Sequence, residues 1–196
     1  MIRRFLALLL FFCANGYAEP SVKALQLVEA GRAQIGKTIS YDGAYVPLRY
    51  PMGDVPIERG VCTDVVVRAF RALGIDLQKE LREDMRGAFR SYPRLWGLRS
   101  PDPNIDHRRV PNLMHFFARR GKERRVSSQG ADYSPGDIVA WRLPDGRPHI
   151  GLVSNEQTNR SPNVAQRPLV IHNIGAGAAI EDRLFDFQII GHYRYF

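Results

Sequence analysis

Apolar residues in the first two-thirds of the chain recur at helical spacing. Val22, Leu25, Leu27 and Val28 predict a short amphipathic helix over 21–32. Val61, Val65, Val66, Ala69, Phe70 and Leu73 form one stripe over 61–73, the clearest helical signal in the chain. Arg68 and Arg71 lie off that stripe, and Gly74 is placed to stop the helix. Two more helices are predicted, over about 77–89 and, from Leu113, Met114, Phe116 and Phe117, over 110–120 before Gly121. Residues 36–60 carry Tyr41-Asp42-Gly43, Tyr50-Pro51-Met52-Gly53-Asp54 and Pro56, and read as a long irregular loop. Loops of that length inside a compact domain are uncommon and often functional. A second Pro-rich insert covers 96–109.

The period then changes. Ser134-Pro135-Gly136-Asp137 is a turn, 138–143 reads as a strand, and Pro144-Asp145-Gly146 is a hairpin turn. Further strands are predicted over 149–154, 168–174 and within 185–196. Helices followed by strands in hairpin order predict an α+β fold, with N-terminal helices packed on a C-terminal antiparallel sheet.

The N-terminus fits neither pattern. Met1-Ile-Arg-Arg is a positive start, Phe5 to Phe12 is an unbroken apolar run, and a short small-and-polar stretch ends at Ala18. This is the layout of a secretory signal peptide, residues 1–18, with a single domain over 19–196 and a periplasmic or secreted location. The apolar run falls short of the about 20 residues that a bilayer span needs. No integral membrane segment is expected after its removal, and the mature chain is expected to be a monomer. Phe11-Phe12 precede Cys13 where a lipid anchor would need a small residue. Loss of Cys13 with the leader makes Cys62 the only thiol, without a disulfide partner, and so either an inert buried thiol or a working one.

The formal charge is +8; without Arg3 and Arg4 the 28 basic residues become 26 against 20 acidic ones, a net +6. Much of it lies in 82–99 and 108–125. With no nucleic-acid motif present, these read as solvated helix faces, and no nucleic-acid partner is expected.

Candidate chemistry begins at Cys62, in the first turn of the strongest helix. Free N–H groups and the helix dipole favour a thiolate there, and the Cys62 N–H can point at an oxyanion. A thiol nucleophile needs a base held by a third polar group. His149 opens a strand and shares a face with Gly151, which would let another element approach closely. His172 lies in the next strand, so two antiparallel strands can set the imidazoles side by side. One nitrogen of His149 would then face Cys62 and the other would be oriented by His172. Asn173 is the rival orienting residue, although a regular strand turns it away. Asp64 lies about 200° round the helix from Cys62 and is not expected to touch the thiol. His107 reads as a surface-loop residue, and His115 and His192 receive no role. Cys62, His149 and His172 are chemically possible zinc ligands but lack any local ligand pair; no metal or other cofactor is expected.

These segments resemble a known family. Gly60-Val61-Cys62-Thr63-Asp64, continuing to Gly74-Ile75-Asp76-Leu77, is similar to the nucleophile helix of NlpC/p60 proteins. Ser134-Pro135-Gly136-Asp137-Ile138-Val139-Ala140-Trp141 resembles their Pro-Gly-Asp strand, and Pro148-His149-Ile150-Gly151-Leu152-Val153 their His-x-Gly strand. Val170-Ile171-His172-Asn173 resembles the strand bearing their third residue. Over nearly its whole mature length the chain resembles more closely the bacterial domain-of-unknown-function family numbered 1287, itself grouped with papain-like peptidases. The resemblance implies a papain-like fold and a Cys62–His149–His172 triad, with Tyr41 or Tyr45 as an oxyanion or substrate-binding residue. Val61-Cys62-Thr63-Asp64 departs from the usual Asp-Cys-Ser-Gly opening, and the 96–109 insert is foreign to a minimal NlpC/p60 domain, so substrate recognition need not match.

The expected function is an exported thiol amidase or peptidase acting on peptidoglycan stem peptides or another envelope amide. The competing expectations are a non-catalytic envelope-binding module on the same fold and an acyltransferase using the same thioester chemistry.

Overall fold

Four helices lead among the described residues, which in this computed structural model are 19–158 and 166–196. They are α1 (Val22–Arg32), α2 (Cys62–Ala72), α3 (Leu77–Ala88) and α4 (Val110–Arg119). The leader assigned to residues 1–18 lies outside the described residues. Each helix starts and stops for a local reason. Ser21 caps α1 by accepting the Ala24 N–H at 3.1 Å. Asp76 caps α3 through the Gln78 N–H at 3.2 Å. Pro111 sits in the first turn of α4, where its missing N–H costs nothing. Gly74 and Gly121 take positive φ just past α2 and α4.

The strands follow the helices, with two short exceptions. Ser40–Tyr41 (β1) and Arg59–Gly60 (β2) form a parallel two-residue pair that closes the long loop ahead of α2. The main sheet comprises β3 (Ile138–Arg142), β4 (Pro148–Gln157), β5 (Pro168–Asn173), β6 (Ala178–Glu181) and β7 (Gln188–Tyr193). All its pairings are antiparallel, in the order β6-β5-β4-β3-β7. The α+β architecture and the helices-on-sheet layering are as the sequence predicts. The simple hairpin order is not: β6 is an additional edge strand, and β7 crosses to the far edge to pair with β3.

The sheet is covered on both faces. Ile138, Ala140, Ile150, Leu152 and Ile171 pack with α1, α2 and α4 in the main core. Val139, Trp141, Val153 and Val170 pack on the other side with Tyr133 and Leu184. Helix α2 is buried all round from Cys62 to Phe70, so the polar residues off its stripe are enclosed too. Arg68 is not solvated. It bonds the Asp54 carboxylate at 2.9 and 3.0 Å, the Thr38 hydroxyl at 3.0 Å, and the carbonyls of Val55, Pro56 and Arg59. One guanidinium therefore gathers the 38–59 loop onto the helix. Arg71 does similar work through Asp76 and the Gly53 carbonyl.

At Gly151 strand β4 leaves no room for a side chain against β5. A Cβ there would lie 2.8 Å from the Ile171 carbonyl oxygen and 3.0 Å from the His172 Cβ. Gly151→Ala is expected to destabilise the fold by about 1–3 kcal/mol, the range for overpacking a tight site. A shift of the urea midpoint measures it, and an unchanged midpoint would show that β5 yields freely.

Candidate active site

Cys62 is the first residue of α2 and is only 4% exposed. Val61 precedes it as a cap without a side-chain acceptor, so the third residue of the helix takes over: Asp64 accepts the Val61 N–H at 2.7 Å. The same carboxylate is held by Arg108, whose Nε and Nη2 each lie 3.0 Å from one of its oxygens. This ion pair is buried on both sides, at 3% and 2% exposure. Arg108 also bonds the carbonyls of Ala44 and Asp42. The 96–109 insert thus pins the start of α2 and the loop that carries Tyr41.

The environment of the thiol differs from the one expected of a helix N-terminus. Burial pushes the Cys62 thiol up to about 11, and the Asp64 charge adds to the rise. The N–H groups of Ile150 and Thr63 and the Tyr41 hydroxyl favour the thiolate but do not overcome burial. Burial likewise lifts the Tyr41 hydroxyl to about 12, so it stays protonated and available as a donor. Of the two upstream tyrosines, only Tyr41 reaches the thiol. Tyr45 is not placed as an oxyanion donor, because its one hydroxyl proton goes to Asp102 at 3.0 Å and Asn104 donates to its oxygen at 3.0 Å.

His149 and His172 meet as the strand pattern predicts. His149 Nε2 lies 2.8 Å from His172 Nδ1, and both rings are buried, at 2% and 1% exposure. Trp141 backs them, with its ring centre 5.7 Å from His149 and 6.4 Å from His172. Its Nε1–H is fixed on the Leu184 carbonyl at 2.9 Å. Burial pushes His149 down to about 3, helped by His172 and Arg147. His172 is lowered by burial too, against the opposing carboxylate of Glu181. The thiol touches this strand through the Ile150 N–H, the amide following His149. Among the described residues no hydrogen bond joins the thiol to the His149 ring. Burial thus disfavours the charged forms of the Cys62 thiol and of both imidazoles, and with them a resting thiolate–imidazolium pair.

Asn173, the alternative orienting residue, is engaged elsewhere. Its amide donates to the Ser40 and Gly60 carbonyls at 3.2 and 3.0 Å, tying β5 to β1 and β2. It ties together the segments that bear Tyr41 and Cys62, and among the described residues no hydrogen bond joins it to His149. Among the described residues no three His, Cys, Asp or Glu side chains are grouped to hold a metal ion. His192 is structural: its Nε2 lies 2.7 Å from Asp137, which Arg194 also grips with two 2.7 Å bonds. His107 is buried, not on the surface, and its Nδ1 has no hydrogen-bond partner. Two features carried no usable signal in the sequence: the Asp64–Arg108 pair, and Glu181 at 3.0 Å from His172 Nε2.

The neutral buried histidines set the acid response. Burial lowers His107 as well, to about 3, with Arg71 and Arg108 adding to it. In the unfolded chain these groups take up protons near 6.5; in the fold His107 and His149 do so only near 3. Their contribution is complete above 6.5 and is lost as pH falls towards 3, at up to about 1.4 kcal/mol per pH unit for each histidine. The urea midpoint is expected to decline already between pH 6.5 and 5, above the carboxylate range. A flat midpoint over that interval would contradict it.

A sheet bearing paired imidazoles, set against a helix that opens on a buried thiol, defines an α+β protein of the cysteine-plus-histidine layout. The chain belongs to the family described as "Domain of unknown function (DUF1287)", which residues 28–195 match. It is 50% identical over 201 aligned positions to "Uncharacterized protein YijF" of Escherichia coli (strain K12), covering 97% of this chain and 96% of that protein. Among solved structures it is similar to NlpC1 from Trichomonas vaginalis, at TM-score 0.43 and 16% identity, over 88% of this chain and 45% of that one. The chain thus spans less than half the length of that structure. No helix of the described residues is long and apolar enough to cross a membrane.

Proposed function

We propose that the protein is an exported thiol hydrolase, an amidase or peptidase acting on peptidoglycan stem peptides or another envelope amide. The observation that carries the reading is the 2.8 Å contact between His149 Nε2 and His172 Nδ1 on the strand whose next amide faces Cys62. With Nε2 occupied, Nδ1 is the nitrogen of His149 left for the thiol. The Cys62 sulfur attacks the amide carbon while His149 Nδ1 takes the thiol proton. The C–N bond breaks, and the same proton passes to the leaving amine. Water, deprotonated by His149, then hydrolyses the thioester and restores the thiol. The Cys62 N–H, free at the first position of a helix, and the Tyr41 hydroxyl are suited to receive the oxyanion. Because thiol and imidazole both rest neutral, proton transfer accompanies attack instead of preceding it.

The leader-like residues 1–18 support export and make the envelope the place to look for substrate. Purified peptidoglycan fragments incubated with the protein should yield peptides heavier in sum by one water. Intact fragments after prolonged incubation would remove this substrate class. The burial of Cys62 favours one second reading, a non-catalytic envelope module on the same fold. That reading requires Cys62 to resist iodoacetamide in the presence of fragments, whereas the hydrolase reading requires it to be alkylated.

A further inference from the structure

The imidazole pair does not end at His172. His172 Nε2 lies 3.0 Å from Glu181 Oε2, across the β5–β6 ladder, and Arg183 stands 3.9 Å from the other Glu181 oxygen. An ionised carboxylate only accepts hydrogen bonds, so His172 Nε2 must carry the proton. A neutral imidazole has one N–H, which leaves His172 Nδ1 as an acceptor. The 2.8 Å contact then requires His149 Nε2 to donate, and His149 Nδ1 is left bare. The reverse order would put a proton on His149 Nδ1 and leave no base for a thiol. Nothing in the two rings alone chooses between these orders; the carboxylate does.

We propose that Glu181 is a positioning residue, the terminal acceptor of a Glu181–His172–His149 chain that fixes both imidazoles as Nε2–H tautomers and presents His149 Nδ1 unprotonated. The catalytic consequence rests on the hydrolase reading above; the tautomer assignment does not. Gln at 181 keeps an acceptor oxygen and loses the charge, whereas Leu removes the acceptor.

The test is long-range ¹H–¹⁵N NMR of the histidine side chains at neutral pH, in the wild type, Glu181→Gln and Glu181→Leu. The wild type should show Nε2 protonated and Nδ1 bare in both His149 and His172. Glu181→Leu should mix the tautomers, and Glu181→Gln should largely retain them. A wild-type His149 protonated on Nδ1 would overturn the proposal with no variant needed, and so would unchanged tautomers in a folded Glu181→Leu. In hydrolysis, Glu181→Leu should lower kcat by about 10- to 100-fold with KM little changed, as when a histidine loses its orienting carboxylate, and Glu181→Gln should recover most of it. If the wild type cleaves nothing, the hydrolase reading fails, while the NMR result still decides the role of Glu181.

Discussion

Cys62→Ala is expected to reduce amide hydrolysis by at least about a thousandfold, the scale on which loss of a nucleophile is felt, while the protein stays folded. The two halves of that statement come from different features. Cys62 packs in the core with the valines of α2, and alanine fits the same space with one atom fewer. The urea midpoint should therefore move by no more than about 1 kcal/mol. The chemistry has no substitute, because Cys62 is the only free cysteine among the described residues. Cys62→Ser is expected to be nearly as inactive, since a neutral imidazole pushed down to about 3 is a weak base for a hydroxyl. Full activity of the alanine variant against a verified substrate would end the mechanism.

Asp64→Ala is expected to cost about 3–5 kcal/mol, because it leaves the Arg108 guanidinium buried without its counter-charge. The change also strips the Val61 N–H of its acceptor at the start of α2. Replacing both partners, as Asp64→Leu with Arg108→Met, should recover much of the loss, since breaking a buried pair is worse than removing it. Urea denaturation of the three variants checks this. A single variant within about 1 kcal/mol of wild type would mean that water reaches Arg108 in place of the carboxylate.

The sequence pattern carried the main elements because their signals are local. Helix α2 shows a long apolar stripe and a stop glycine, and period-two alternation set His149 with Gly151 on one face. That alternation, with a close-approach glycine, was enough to bring two imidazoles together. Strand β6 was illegible because four residues after Gly175-Ala176-Gly177 carry no periodicity, and Glu181 was lost with it. The crossing of β7 to β3 was illegible because pairing partners across the sheet leave no spacing signal. Arg108 reads as solvated because arginine usually is, and Arg68 and Arg71 show only that they lie off the stripe; the enclosure of all three depends on loops from distant parts of the chain. The same enclosure defeated the electrostatic expectation for Cys62. A helix dipole acts on an exposed thiol as expected, but here burial and a fixed carboxylate outweigh it.

The proposed mechanism requires a covalent bond between Cys62 and substrate. Its most direct test is acid-quenched incubation of the protein with peptidoglycan fragments, followed by mass spectrometry of the peptide containing Cys62. An acyl adduct on Cys62 is expected, one that hydroxylamine removes and that is absent from Cys62→Ala. Cleaved fragments with no adduct at Cys62, produced equally by Cys62→Ala, would contradict it.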